Sequence, residues 1–188
     1  MPISSGISET ELIQKCKEGD LKYQEKLYKH FYGYAMGIGM RYLSNRDDAM
    51  EVVNDSFIKL FNGIKSFNDH NAFKPWLRRI VVNTAIDRRR KDLKHLNNID
   101  LDNAGQLQRP AYIIETLTAR DILKLLDHLP AMQRVIFNLY EIDGYTHEEI
   151  AKMLSIPSSS SRTYLSRAKE KLKKTWNTQQ EDSYERIG

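Results

Sequence analysis

The sequence predicts an all-α protein: two small helical domains joined by a flexible linker, the second containing a helix-turn-helix. Three observations lead there. Apolar residues recur at three- and four-residue spacing along most of the chain, capping signals open successive runs of them, and one Asn- and Asp-rich stretch in the middle loses the period.

The first helix opens on Ser8-Glu9-Thr10-Glu11, a capping box in which the serine hydroxyl accepts from a first-turn amide while Glu11 reaches back; Leu12, Ile13 and Cys16 follow at helical spacing. A second helix starts near Asp20 and sets Leu27, Phe31, Tyr34 and Ile38 on one face. Ser44 or Asn45 caps a third, where Ala49, Val52, Val53, Phe57, Leu60, Phe61 and Ile64 form a broad apolar stripe. SFNDHNA, residues 66–72, is a polar loop. Phe73-Lys74-Pro75-Trp76 then opens a fourth helix with proline in its first turn, where a missing N–H costs nothing. That helix turns Trp76, Leu77, Ile80, Val81 and Ala85 inward and ends in Arg88-Arg89-Arg90-Lys91.

Residues 92–114 hold Gly105 and Pro110 and keep no apolar face, which marks them as the linker. The period resumes with Ile122, Leu125, Leu126 and Leu129, and Pro130 punctuates before Met132, Val135, Ile136 and Leu139 line the next helix. Gly144 is placed to stop it in the left-handed conformation. Thr146-His147-Glu148-Glu149 is a second capping box and starts a short helix through Ile150, Ala151 and Leu154. After Ser155-Ile156-Pro157 comes a long helix from about Ser158 to Trp176, and the polar tail 177–188 is expected to fray.

Composition excludes several classes. The 188 residues are 40% hydrophobic and 29% charged with nine Gly and five Pro, which is enough apolar material for a core and unlike a low-complexity chain. Runs such as Ala35–Met40 and Ile80–Val82 fall far short of the roughly 20 residues that cross a bilayer. The start MPISSGISETEL lacks a basic segment followed by an apolar one, so no secretory leader is expected. A single cysteine, Cys16, permits no internal disulfide, and the cytoplasm is the natural compartment. None of the five histidines shares a helix face with another histidine or with Cys16, so no metal site is expected. There is no Gly-rich phosphate loop, no nucleophile elbow and no catalytic constellation, and neither enzymatic activity nor a cofactor is expected.

The net charge of +4 is unevenly spread. Residues 74–91 carry a balance of +6 and residues 158–174 one of +5, which leaves −7 for the rest of the chain. Two concentrated basic elements on an otherwise acidic chain are the footprint of a protein that meets a polyanion at two places. The segment 146–174 has the short helix, tight turn and long helix of a DNA-reading unit. Laid out at about 100° per residue, the long helix puts Ser161, Leu165, Ala168 and Leu172 on one side. Ser159, Thr163 and Ser166 point away, flanked by Arg162 and Arg167. Small hydroxylated residues let a helix approach base edges while arginines at the margin reach guanine or phosphate.

Four stretches, DAMEVVNDSFIKLF (48–61), FKPWLRRIVVNTAIDRRR (73–90), LPAMQRVIFNLYEIDGYTHEEIAKMLSIP (129–157) and SRTYLSRAKEKL (161–172), make the chain resemble the extracytoplasmic-function sigma factors, small two-domain specificity subunits of bacterial RNA polymerase. The resemblance implies a region 2-like domain at 1–91, the linker at 92–114, a region 4-like domain at 115–176 and the tail at 177–188. It implies polymerase docking through the helix 48–61, on Asp48, Glu51, Asn54 and Asp55. Three of these, Asp48, Glu51 and Asp55, recur as an acidic stripe opposite the apolar one. Recognition and opening of the −10 element would fall to Phe67, Asn68, His70 and Asn71 in the loop and to Arg78, Arg79, Asn83, Arg88 and Arg89 on the helix. Phe67 has a core role open to it as well, and Trp76 reads as core. Ser159, Ser160, Arg162, Thr163, Ser166 and Arg167 would read the −35 element. Ser159 and Ser161 stand where the family usually has Gly and Val, and Ser161 is expected to anchor its helix less firmly.

The resulting expectation is a sigma factor that directs promoter-specific initiation. Its partners would be core RNA polymerase, at the clamp and flap surfaces, promoter DNA, and a membrane-associated anti-sigma factor as a further candidate, with no membrane insertion of its own. The competing readings are a stand-alone helix-turn-helix regulator that binds as a homodimer, and a nucleic-acid-processing enzyme.

Overall fold

The first helix, α1 (Glu9–Lys17), is opened by Ser8, whose hydroxyl accepts from Glu11 N at 3.1 Å. The computed structural model describes residues 7–68, 72–96 and 119–185, with side chains described for 7–68, 72–91 and 121–178. All the regular structure among these is helical. The chain divides into two compact units, Met1–Arg88 and Arg89–Gly188.

In the first unit α2 (Leu21–Tyr42) is capped by Asp20, whose carboxylate accepts from Lys22 N at 2.9 Å and Tyr23 N at 3.4 Å. Asn45 caps α3 (Arg46–Gly63), accepting from Asp47 N at 2.9 Å, which settles the choice between Ser44 and Asn45. A 3₁₀ turn (Ile64–Ser66) leads out of α3, and α4 runs over Phe73–Leu96. The core is the one the apolar spacing predicts: Leu12, Leu27, Phe31, Val53, Phe57, Leu60, Leu77, Val81 and Ala85 are all almost fully buried. Each such Leu or Phe contributes about 1.5–3 kcal/mol by leaving water. Gly39 lets α2 and α3 approach closely, since a Cβ there would lie 3.4 Å from the Ala49 carbonyl oxygen and 3.5 Å from Val53 Cγ2. Tyr34, expected on the inward face of α2, is only half-buried.

The helix α4 continues past its expected end at Arg88–Lys91 through Leu96. Residues 92–96 contain no Gly or Pro, and helix propagation needs only tolerable propensity once the helix is nucleated. The same physics carries the last helix past Trp176, into the stretch expected to fray.

The second unit contains α5 (Ala119–Asp127), α6 (Ala131–Phe137), a π turn (Asn138–Ile142), α7 (His147–Leu154) and α8 (Ser158–Glu185). Leu126, Leu129 and Ala168 form a cluster on which Phe137 and Leu172 pack, and Ile150, Leu154 and Leu165 are buried in the same unit. The apolar spacing of 131–139 gives no sign of the π turn. Asn138 is fully buried and donates from Nδ2 to the Arg134 carbonyl at 2.8 Å, while Asp143 N reaches the Asn138 carbonyl at 2.9 Å, five residues back. Gly144, at φ +76°, ends the segment as predicted. Arg134, 1% exposed, is neutralised by Asp127, Nη1 to Oδ1 2.5 Å.

Candidate nucleic-acid interface

The helix-turn-helix is built from caps inward. Thr146 Oγ1 accepts from Glu149 N at 3.2 Å and Glu149 Oε2 accepts from Thr146 N at 2.8 Å, so both halves of the predicted capping box form. The backbone bond from Thr146, with its hydroxyl second, holds the Glu149 carboxyl below its ordinary range. Ser155 closes α7 in the left-handed conformation, φ 56° and ψ 45°, a strained position for a residue with a Cβ that short polar side chains tolerate best. Ile156 and Pro157 then restart the chain as α8.

On α8 Ser161, Leu165 and Ala168 are buried, whereas Ser159, Arg162, Thr163, Ser166 and Arg167 are exposed and Ser160 is half-buried. Thr163 turns its hydroxyl back to the Ser159 carbonyl at 3.1 Å, which leaves the outer face of the first turns low and smooth. Arg162 is engaged with Glu148 on α7, Nη2 to Oε1 2.9 Å, both side chains well exposed. Ser161, expected to anchor its helix less firmly than an apolar residue, is given a part-buried polar partner instead. Its hydroxyl is fully buried and lies 2.9 Å from His147 Nδ1, and the His147 ring stacks on Tyr140 with centroids 4.4 Å apart. In the sequence His147 stands out only as part of a capping box, and Tyr140 carries no signal of its own. The signal available was a polar residue at an inward position of α8, which demands a buried partner.

In the first unit Phe67 is 5% exposed, edge-on to Phe73 at 5.6 Å and tilted over Trp76 at 4.8 Å, with Lys17 Nζ 5.8 Å from its ring. Of its two sequence readings, core is the one this packing displays. Trp76 is half-buried and Asn68 exposed, while His70 and Asn71 lie outside the described residues. Arg79 and Asn83 are exposed on α4, and Arg78, Arg88 and Arg89 are partly covered.

The acidic stripe and the basic helix meet. Arg88 reaches Asp48 at 3.2 Å and Glu51 at 2.7 Å, so a residue assigned to DNA and two assigned to polymerase form one ion-pair network between α4 and α3. Lys59 adds a second tie across the same pair of helices, to Thr84 Oγ1 at 3.1 Å and Asp87 at 3.5 Å. Asp55 and Asn54 stay exposed, Asn54 accepting from the Tyr28 hydroxyl at 3.0 Å. Among the described residues no group of three or more His, Cys, Asp or Glu side chains is placed to hold a metal ion. The chemistry available is that of guanidinium, ammonium, amide and hydroxyl donors presented on helices, which suits phosphate and base-edge recognition.

Comparison with known proteins agrees with this chemistry. Residues 27–94 match the family Sigma-70 region 2, and residues 119–172 match Sigma-70, region 4. The ECF RNA polymerase sigma-E factor of Salmonella typhimurium is 28% identical over 180 residues, covering 89% of this chain and 94% of that protein. The protein of the same name from Haemophilus influenzae is 28% identical over 176 residues, covering 87% and 93%. The sigma factor RpoE of Bartonella quintana, solved in complex with the anti-sigma factor NepR, shares the fold, with a TM-score of 0.52 and 21% identity over 84% of this chain and 98% of that one. The chain belongs to the sigma-70 family, as an extracytoplasmic-function member that carries regions 2 and 4.

Proposed function

We propose that this chain binds core RNA polymerase and directs it to promoters by reading two DNA elements, region 2 engaging the −10 element and region 4 the −35 element. The observation that carries the reading is the presence of both sigma regions in one chain, each with its own basic helix. A stand-alone regulator has no use for region 2, so that alternative is not favoured. Sigma factors are initiation factors rather than enzymes, and the chemistry here is recognition alone.

Asn68, Arg78, Arg79, Asn83, Arg88 and Arg89 are assigned to −10 DNA, together with His70 and Asn71. Asn54 and Asp55 are assigned to polymerase, with Asp48 and Glu51 sharing that surface with Arg88. Ser159, Ser160, Arg162, Thr163, Ser166 and Arg167 are assigned to −35 DNA. The protein works in the cytoplasm, and among the described residues no helix is long and apolar enough to cross a membrane. An anti-sigma factor is a further partner, by analogy with the Bartonella complex.

The test is reconstitution with core polymerase followed by promoter-dependent transcription. Co-purification and initiation from specific start sites are expected. A chain that binds DNA tightly by itself and ignores core polymerase would overturn the reading.

A further inference from the structure

We infer that His147 is a positioning residue for promoter recognition: it holds the first turn of α8 in register through Ser161. The inference rests on the reading of α8 as the −35 recognition helix.

Ser161 is the first fully buried side chain along α8, and the apolar anchors Leu165 and Ala168 follow one and two turns later. The base-facing candidates Ser159, Arg162 and Thr163 lie in the same first turns, ahead of those anchors. Their placement therefore depends on what Ser161 touches. It touches His147 Nδ1 at 2.9 Å. That ring is itself held flat on Tyr140, 4.4 Å between centroids with planes 22° apart, and Tyr140 belongs to the π turn that precedes the helix-turn-helix. The next residue on each helix repeats the tie on the surface, Glu148 to Arg162 at 2.9 Å.

The two ties differ in consequence. The outer one is exposed and yields when Arg162 turns to DNA. The inner one is part-buried, and losing either partner strands the other in a site where water competes poorly. Recognition requires side chains held to roughly 0.5 Å and 10–20°, so a first turn that rocks about Leu165 loses discrimination before it loses affinity for phosphate.

The experiment uses holoenzyme reconstituted with the full chain and measures the ratio of transcription from a matched −35 element to that from single-base variants, at one salt concentration. Melting curves of each variant check the fold. His147→Phe keeps the ring on Tyr140 and removes Nδ1, whereas His147→Asn offers an amide near the Nδ1 position. Ser161→Ala removes the hydroxyl from the other side. His147→Phe and Ser161→Ala should each lower the discrimination ratio by about 2–10-fold, the worth of one hydrogen bond. Their combination should be no worse than either alone, and His147→Asn should keep most of the wild-type ratio. Wild-type discrimination by folded Ser161→Ala, or a double variant that multiplies the two single effects, would overturn the inference. Should His147→Phe fail to fold, Ser161→Ala against His147→Asn decides the matter. A wild-type holoenzyme indifferent to the −35 sequence would instead refute the recognition-helix reading on which the inference stands.

Discussion

Cys16 is the chain's only thiol and is 1% exposed, packed with Leu12 and Ile13 on the inner face of α1. Burial first, and the Asp20 carboxylate second, push it up to about 11. The thiolate that reacts with alkylating agents is therefore scarce at neutral pH. Iodoacetamide should label the native chain only as fast as α1 opens and should label it at once in urea, which mass spectrometry reads directly. Arg162 and Arg167 separate on the same scale. Replacing Arg167 by Ala should cost about 1–3 kcal/mol of −35 binding if it reads a base edge. Arg162→Ala should cost less by the worth of the exposed Glu148 pair that the arginine gives up on binding, about 0–1 kcal/mol. Glu148→Gln should then tighten the complex, by up to about fivefold, in anisotropy titrations with labelled promoter DNA.

Between elements, Arg88 links α4 to α3 through Asp48 and Glu51. Its side chain is 33% exposed, so the network is partly screened and Arg88→Ala should lower the stability of the chain by about 0.5–1 kcal/mol, visible as a shifted urea midpoint. Alanine at Asp48 or Glu51 disturbs the same network, and a loss of polymerase binding there mixes docking with packing. Asp55→Ala is the cleaner test, with weaker binding to core polymerase and an unchanged urea midpoint expected. The α7 cap carries a pH signature. Because the bonds from Thr146 depress the Glu149 carboxyl in the fold, its contribution is complete above its ordinary value of 4.5 and fades as pH falls through the depressed one. The stability gap between wild type and Glu149→Ala should thus be constant near neutrality and close in acid, measured by urea denaturation across pH.

For the whole molecule the consequence is division of labour. On the proposed reading each unit would offer DNA a short basic element, and tight promoter engagement would need both at once, with a benefit set by the effective concentration of one for the other. The linker expected from the sequence at residues 92–114 would, at about 3.3–3.6 Å per extended residue, exceed two turns of DNA, and on that expectation reach would not limit the pairing of the two sites. A large partner that docks both units would lower the entropy lost on binding. Footprinting with and without core polymerase, at a single salt concentration because salt alone shifts such affinities by orders of magnitude, should show weak protection by the free chain and joint protection of both elements by holoenzyme.

The sequence by itself determined most of the helices, the caps at Ser8 and Thr146, the start of α2 near Asp20 and most of the buried face of each, because capping and helical periodicity are local properties that neighbours along the chain decide, while the choice of Asn45 over Ser44 as cap came from the structure. It also determined the family and the function class, through motifs whose order and spacing survive without coordinates. Where α4 and α8 end was legible only in part, since polar residues that carry no apolar face can still propagate a helix. Tertiary structure alone decided the pairings. Arg88 with Asp48 and Glu51, Arg162 with Glu148, and Ser161 with His147 join residues separated by 40, 37, 14 and 14 positions. A charged or hydroxylated side chain shows in the sequence what it can bind, and only the packing of one helix on another shows what it meets.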